Sequence, residues 1–167
     1  YSFCKARNTW WDCGTGNGQV AAILSRSFDR VFATDISQEQ IHNAIPKPNI
    51  YYSVQRAEKT TFQNHYFDLI TAAQAVHWFD LPSFNMEVNR VLKPNGVVAI
   101  WGYELLKVNP EIDLIIHHFY QDIIGKYWDK EREHIDQNYS TIPFGPAYKI
   151  IKQRTRATIQ WKNLYRL

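Results

Sequence analysis

An α/β fold, a doubly wound and mostly parallel sheet with helices on both faces, is what this 167-residue sequence predicts. Three observations predict it. Short apolar runs alternate with amphipathic segments from Trp10 to Trp101. A glycine-rich turn, Gly14–Gly18, follows the first apolar run. Acids, Asp12 and Asp35, close the first two runs.

The elements follow in order. A short first strand ends at Asp12, and the turn leads into a helix, "GQVAAILSRSF", with Val20, Ile23, Leu24 and Phe28 at helical spacing. "RVFATD" is the second strand. Ser37 caps the next helix with Gln40 three residues on, and that helix, "QEQIHNAI", stops before Pro46-Lys47-Pro48. "NIYYSVQRAE" is a third strand and "FDLITAAQAV" a fourth. Pro82 suits the first turn of a helix through Phe84, Val88 and Leu92. Lys93-Pro94-Asn95-Gly96 is a turn before a buried fifth strand, "VVAIWGY". Asn109-Pro110 then opens a helix with Ile112, Ile115, Ile116, Phe119 and Ile123 on one side, and one more strand is expected within Tyr148–Trp161. The whole reads as one domain over residues 1–167: a core at 10–102, an inserted segment at 103–147 and a partial sheet edge at 148–167.

Bulk properties narrow the function. The chain is 45% hydrophobic and 21% charged, with 6 Trp, 10 Tyr and 9 Phe, a composition suited to a soluble domain with a real core. A formal charge of +3 is too mild to favour nucleic acid, and the basic run "KIIKQRTR" reads first as a solvated face. Cys4 and Cys13 form neither a metal-ligand spacing nor a disulfide framework, which fits a reducing cytoplasm. No apolar run approaches membrane-spanning length. His117, His118 and His134 lack an acid or histidine partner at ligand spacing, so no metal is expected.

The turn "DCGTGNG" poses the question of its ligand. At the carboxyl end of a parallel strand it faces the ligand crevice, where free N–H groups at a helix start attract polar ligands. A dinucleotide fingerprint, G-x-G-x-x-G, would place its third glycine at position 19, which is Gln19; the spacing is instead G-x-G-x-G. Asp12 would repel a pyrophosphate but suits the α-ammonium and sulfonium of S-adenosylmethionine. Asp35, roughly 20 residues on, can accept both ribose hydroxyls of either cofactor. The shifted glycine and Asp12 decide for S-adenosylmethionine. A strand-ending acid that merely caps a helix is the bland alternative for each motif alone.

On "DCGTGNG", "ATDIS", the "AE" after the third strand, "FDLITAAQAVHWF" and "LKPNGVVAIW", the chain resembles the class I S-adenosylmethionine-dependent methyltransferases. "QAVHWFD" and "YWDKEREHID" resemble the trans-aconitate methyltransferase-like group of the small-molecule branch. The resemblance covers about Trp10 to Gly102 and implies a Rossmann-like fold with a helical insertion after the fifth strand. It implies that Asp12, Gly14, Gly16 and Gly18 lie beside the methionine moiety, with Cys13 and Asn17 contributing backbone. Asp35 takes the ribose hydroxyls, Ile36 packs on the adenine, Ala57 and Glu58 flank it, and Gln74 and Ala75 lie under the methyl group. The family's pattern begins with helices ahead of the first strand, whereas nine residues precede Trp10 here, and its closing edge hairpin has at most one candidate strand. The chain therefore reads as a fragment.

Methyl transfer from a sulfonium is an in-line displacement onto a small-molecule acceptor, with a carboxylic acid one class the resemblance suggests. A hydroxyl or carbon acid would need a base, and His77, directly after the fourth strand, is the candidate; packing beside Trp78 and Phe79 is the alternative. Trp78, Tyr103, Tyr127 and Trp128 are candidate pocket walls, and Arg132 or His134 a candidate partner for an anionic acceptor. Two other functions compete. A domain of the same fold could bind the cofactor without turnover, and a nicotinamide-dependent oxidoreductase would need the glycine that position 19 lacks.

Overall fold

The computed structural model describes residues 4–102, 105, 107–129, 134 and 137. Among them are five strands: β1 Thr9–Cys13, β2 Arg30–Asp35, β3 Ile50–Val54, β4 Phe67–Ala73 and β5 Leu92–Trp101. They form one sheet in the order β3-β2-β1-β4-β5, and every neighbouring pair is parallel. The order reverses between β1 and β4, so the crevice at their carboxyl ends is the topological switch point where such sheets bind ligands. The α/β expectation holds.

Adjacent tryptophans show how the sheet is filled. Trp10 and Trp11 are both fully buried and point to opposite faces because side chains alternate along a strand. Trp10 packs with Phe28, Val31, Ile50 and Leu69 on one face. Trp11 packs with Phe67, Ile70, Phe84 and Val88 on the other. Each indole N–H finds a threonine: Trp10 Nε1 donates to Thr71 Oγ1 at 2.7 Å, and Trp11 Nε1 to Thr34 Oγ1 at 2.8 Å.

The described residues also form four α-helices: α1 Gln19–Leu24, α2 Gln38–His42, α3 Leu81–Val91 and α4 Pro110–His117. Helix α2 is capped as expected, the Ser37 hydroxyl accepting from Gln40 N–H at 3.3 Å. Helix α3 carries Pro82 in its first turn and buries Phe84, Glu87, Val88 and Val91.

Several expectations change. Helix α1 is shorter than "GQVAAILSRSF", giving way to a 3₁₀ turn at Ser25–Ser27, and Ile23 is 70% exposed rather than on the packed side. Strand β3 ends at Val54, short of Glu58. The expected turn at Lys93–Gly96 lies inside β5 as an excursion: the ladder passes from Phe67–Leu92 to Leu69–Val97, with Asn95 at φ +64°. Strand β4 stops at Ala73 because Gln74 adopts φ +52°. Helix α4 buries no residue: of the side chains expected to share a packed side, Ile112 and Ile115 are exposed and Ile116 is half-buried, and Phe119 and Ile123, in the π-helical turn His118–Ile123 that follows, are exposed, as is Leu114 on α4. The strand expected within Tyr148–Trp161 lies outside the described residues.

At the amino edge of the sheet a cavity of about 460 Å³ is lined by Cys4, Lys5, Asp68, Lys93 and Asn95. It lies at the end opposite the crevice. Asp68 is saturated there by Lys93 Nζ at 2.8 Å and by the N–H groups of Asn8 and Thr9, and its shape follows from the β5 excursion.

Candidate functional site

The crevice is built from the tips of β1, β2 and β4. After Cys13 the chain turns through Gly14, Gly16 and Gly18, all at positive φ, before α1 begins. Gly14 needs the absence of a side chain twice over, since its φ is +65° and a Cβ would stand 2.5 Å from the Ala75 Cβ and 3.2 Å from the Phe79 ring. This close approach joins the glycine loop to the exit of β4. Thr15 N–H donates to Thr34 O at 2.9 Å, which ties the same loop to β2.

Asp35 sits at the centre of this arrangement. One carboxylate oxygen accepts from Gly16 N–H at 2.8 Å, the other from Ser37 N–H at 2.9 Å. A carboxylate offers about four acceptor positions, so a diol could still be held. Ile36, the next residue, is 63% exposed and presents an apolar side chain beside it.

Asp12 is placed differently from an open acceptor. It is 1% exposed; Thr15 Oγ1 donates to one of its oxygens and Thr71 Oγ1 to the other, both at 2.6 Å. Burial pushes the carboxyl up to about 6, against the hydrogen bonds of Thr15, Thr71 and the Ala21 N–H. Its oxygens therefore brace the loop from beneath. At neutral pH its charge still lies under the loop.

The remaining residues expected at the cofactor fall into three groups. Cys13 and Asn17 are loop members, Cys13 fully buried with its thiol donating to Thr71 O at 2.9 Å and Asn17 O accepting from Ile45 N–H at 3.0 Å. Ala57 is buried in the core beside Trp11, and Glu58 is engaged at both oxygens, by Asp80 N–H at 3.0 Å and Arg56 Nε at 3.3 Å. Glu58 thus ties the loop after β3 to the entry of α3. Gln74 and Ala75 stand at the tip of β4, where Gln74 N–H donates to Trp101 O at 2.9 Å. A non-glycine residue at φ +52° stores strain, and strain of this kind concentrates at functional sites.

His77 is 6% exposed in a 3₁₀ turn, Val76–Trp78, its ring 4.9 Å from that of Trp78, which is 55% exposed. Tyr127 and Trp128 have partners within their own segment: Lys126 lies over the Tyr127 ring, and the Trp128 ring is tilted against that of Tyr120, with centroids 5.2 Å apart, while its N–H donates to the Tyr120 carbonyl at 3.2 Å. Tyr103 and Arg132 lie outside the described residues.

Thr15, Thr71, Phe79 and Tyr52 are the site residues that sequence reasoning missed. Thr15 stands three residues after Asp12, a spacing that could have signalled a local side-chain bond. Thr71 becomes a partner only through the β1–β4 register that sets it beside Asp12.

The residues fit S-adenosylmethionine: Asp35 retains acceptor capacity, Ile36 offers an apolar surface, and the loop lies over a buried negative charge that a diphosphate would have to face. Comparisons with known proteins agree. The family model described as a methyltransferase domain matches residues 11–100. A Dictyostelium discoideum protein named as a methyltransferase is 39% identical over 147 residues, which are 86% of this chain and 55% of that protein. The mitochondrial arginine-hydroxylase NDUFAF5 of Mus musculus is 35% identical over 103 residues, 57% of this chain and 29% of that protein. A solved structure assigned as a type II methyltransferase, from Anaeromyxobacter dehalogenans, shares the fold with a TM-score of 0.77 at 38% identity, over 86% of this chain and 61% of that one. The chain thus spans about half the length of the Dictyostelium relative. It belongs to the methyltransferase-domain family, in its class I, S-adenosylmethionine-dependent form.

Proposed function

We propose that this chain is the S-adenosylmethionine-binding core of a methyltransferase acting on a small-molecule acceptor, with carboxylic acids the first class to test. The observation that carries the reading is the 2.8 Å bond from Gly16 N–H to Asp35, which fixes the glycine loop against an acid with acceptor capacity to spare. Asp35 would accept the ribose hydroxyls and Ile36 would cover the adenine, with Ala57 and Glu58 behind it. Gly14, Gly16 and Gly18, with the backbone of Cys13 and Asn17, would line the methionine moiety, and Gln74 and Ala75 the floor below the methyl. When bound, S-adenosylmethionine supplies a methyl already activated on a sulfonium, so alignment and exclusion of water can provide much of the rate.

His77 would take the proton from an acceptor that needs a base. Its burial beside Trp78 favours an acceptor that needs none, and a carboxylate is such a group. The trans-aconitate methyltransferase-like branch is supported by the "QAVHWFD" and "YWDKEREHID" stretches. Residues 103–147 would shape the acceptor cavity, with Trp78, Tyr103, Tyr127, Trp128 and Arg132 on its walls. Both cysteines are free and buried, which supports a reducing compartment such as the cytoplasm. No helix among the described residues is long and apolar enough to cross a membrane.

Calorimetric titration with S-adenosylmethionine, S-adenosylhomocysteine and NAD tests the cofactor. Binding of NAD alone would overturn the reading. Asp35→Ala is expected to weaken S-adenosylhomocysteine binding by roughly 10- to 100-fold, the range for losing hydrogen bonds to a charged group. Turnover of a panel of small acids, amines and phenols tests the acceptor. A second reading, binding without methyl transfer, is favoured by one observation: a relative named as an arginine-hydroxylase aligns with this same core. Tight binding with no methylated product from any acceptor would support it.

A further inference from the structure

One aromatic side chain outside the expected site reaches the glycine loop from β3. Tyr52 is half-buried, and its ring occupies the space beside Gly18, at the start of α1. A Cβ on Gly18 would collide with the Tyr52 hydroxyl and stand 2.9 Å from two ring carbons. Gly18 is also buried and holds φ +79°. The Tyr52 hydroxyl donates to Ile45 O at 2.8 Å, and Ile45 N–H in turn donates to Asn17 O at 3.0 Å. These contacts close a ring of support: β3, the segment after α2, Asn17, Gly18, and back to the Tyr52 ring. Burial, then the Asp12 charge, holds the phenol above its ordinary range.

We propose that Tyr52 is a positioning residue for the cofactor loop, its ring seated against Gly18 and its hydroxyl holding the Ile45–Asn17 link, so that the loop stands ready in front of Asp35. The inference rests on the proposed cofactor reading for its effect on affinity, and on geometry alone for its effect on the loop. It also gives a physical reason for the G-x-G-x-G spacing. At position 18 a side chain would meet both the positive φ and the tyrosine that crosses the start of the helix, so the third glycine of that spacing has a steric reason besides its backbone one.

The test uses the full-length protein and the conservative variant Tyr52→Phe, which keeps the ring and removes the hydroxyl. Amide hydrogen exchange of the ligand-free protein should show Ile45 N–H exchanging about 5-fold faster, while amides of β1 and β4 keep their rates. Titration with S-adenosylhomocysteine should show affinity about 5-fold weaker, and the cofactor KM should rise by more than kcat falls. Gly18→Ala should weaken binding far more in the wild-type background than in a Tyr52→Ala background, where the collision is relieved. Unchanged Ile45 exchange in Tyr52→Phe, or equal Gly18→Ala penalties in both backgrounds, would overturn the proposal. So would faster Ile45 exchange with unchanged affinity. If wild-type protein bound no S-adenosylhomocysteine, the cofactor reading would fail instead, and the Ile45 exchange rate alone would decide for or against the bracket.

Discussion

Asp12 is the residue whose role depends most on its surroundings. In sequence it is an acid two places before a glycine; in the fold it is a buried carboxylate with a threonine hydroxyl on each oxygen. Its carboxyl is raised from the ordinary 3.8 to about 6, so the native state holds its proton more tightly than the unfolded chain does. Stability from this group is therefore full below pH about 4, falls as pH rises towards about 6, and is lost above that, a span of roughly 3 kcal/mol. Urea denaturation from pH 4 to 8 should show this slope in wild type and its absence in Asp12→Asn. At neutral pH Asp12→Asn has an opposing effect, because an amide nitrogen cannot accept and one of the two hydroxyls must turn away. Identical pH slopes in both proteins would refute the assignment.

At the scale of an element, α3 is fastened by a buried acid that no periodicity reveals. Glu87 is 7% exposed and accepts from Thr60 N–H at 2.8 Å, from the Thr60 hydroxyl, and from Arg90 at 2.6 and 2.8 Å. Arg90 Nη1 reaches on to Phe62 O at 2.7 Å. Together they hold the segment between β3 and β4, the same segment whose Glu58 bonds the entry of α3. Burial alone would raise the Glu87 carboxyl, but hydrogen bonds from Arg90 and Thr60 and the Arg90 charge outweigh it and hold it below the usual range. Its contribution is present above the unfolded value and is lost as pH falls through the folded one. Glu87→Ala should cost about 1.5–3 kcal/mol in urea unfolding, with Thr60 N–H exchanging faster; full protection at Thr60 would exclude the bracket.

At the scale of the whole molecule, the buried core of the described residues lies in the sheet and on its two faces. Trp11 touches strands and helix at once, with ring centroids 5.7 Å from Phe62, 5.9 Å from Phe67 and 6.4 Å from Phe84. Trp11→Ala should cost about 3–5 kcal/mol by thermal or urea denaturation. Leu114 and Ile115 on α4 are 73% and 70% exposed, so alanine at either should change stability by less than about 0.5 kcal/mol. Comparable losses at both places would mean that α4 contributes to the cooperative core.

The sequence by itself determined the succession of strands and helices, the placing of Asp12 and Asp35 at strand tips, and a turn that only glycines can make. Each is a local property, written in periodicity, capping and backbone sterics. What Asp12 does there was decided by the register that sets Thr71 beside it, and what Gly18 does by a tyrosine arriving from another strand. The same holds for Glu58 and Glu87, which face partners 22 and 27 residues away in the chain. Helix α4 went the other way: apolar spacing foretold a packed face, and none of its residues is buried. Spacing records what a segment could bury; only the assembled sheet determines which side chains meet and which acids lose their water.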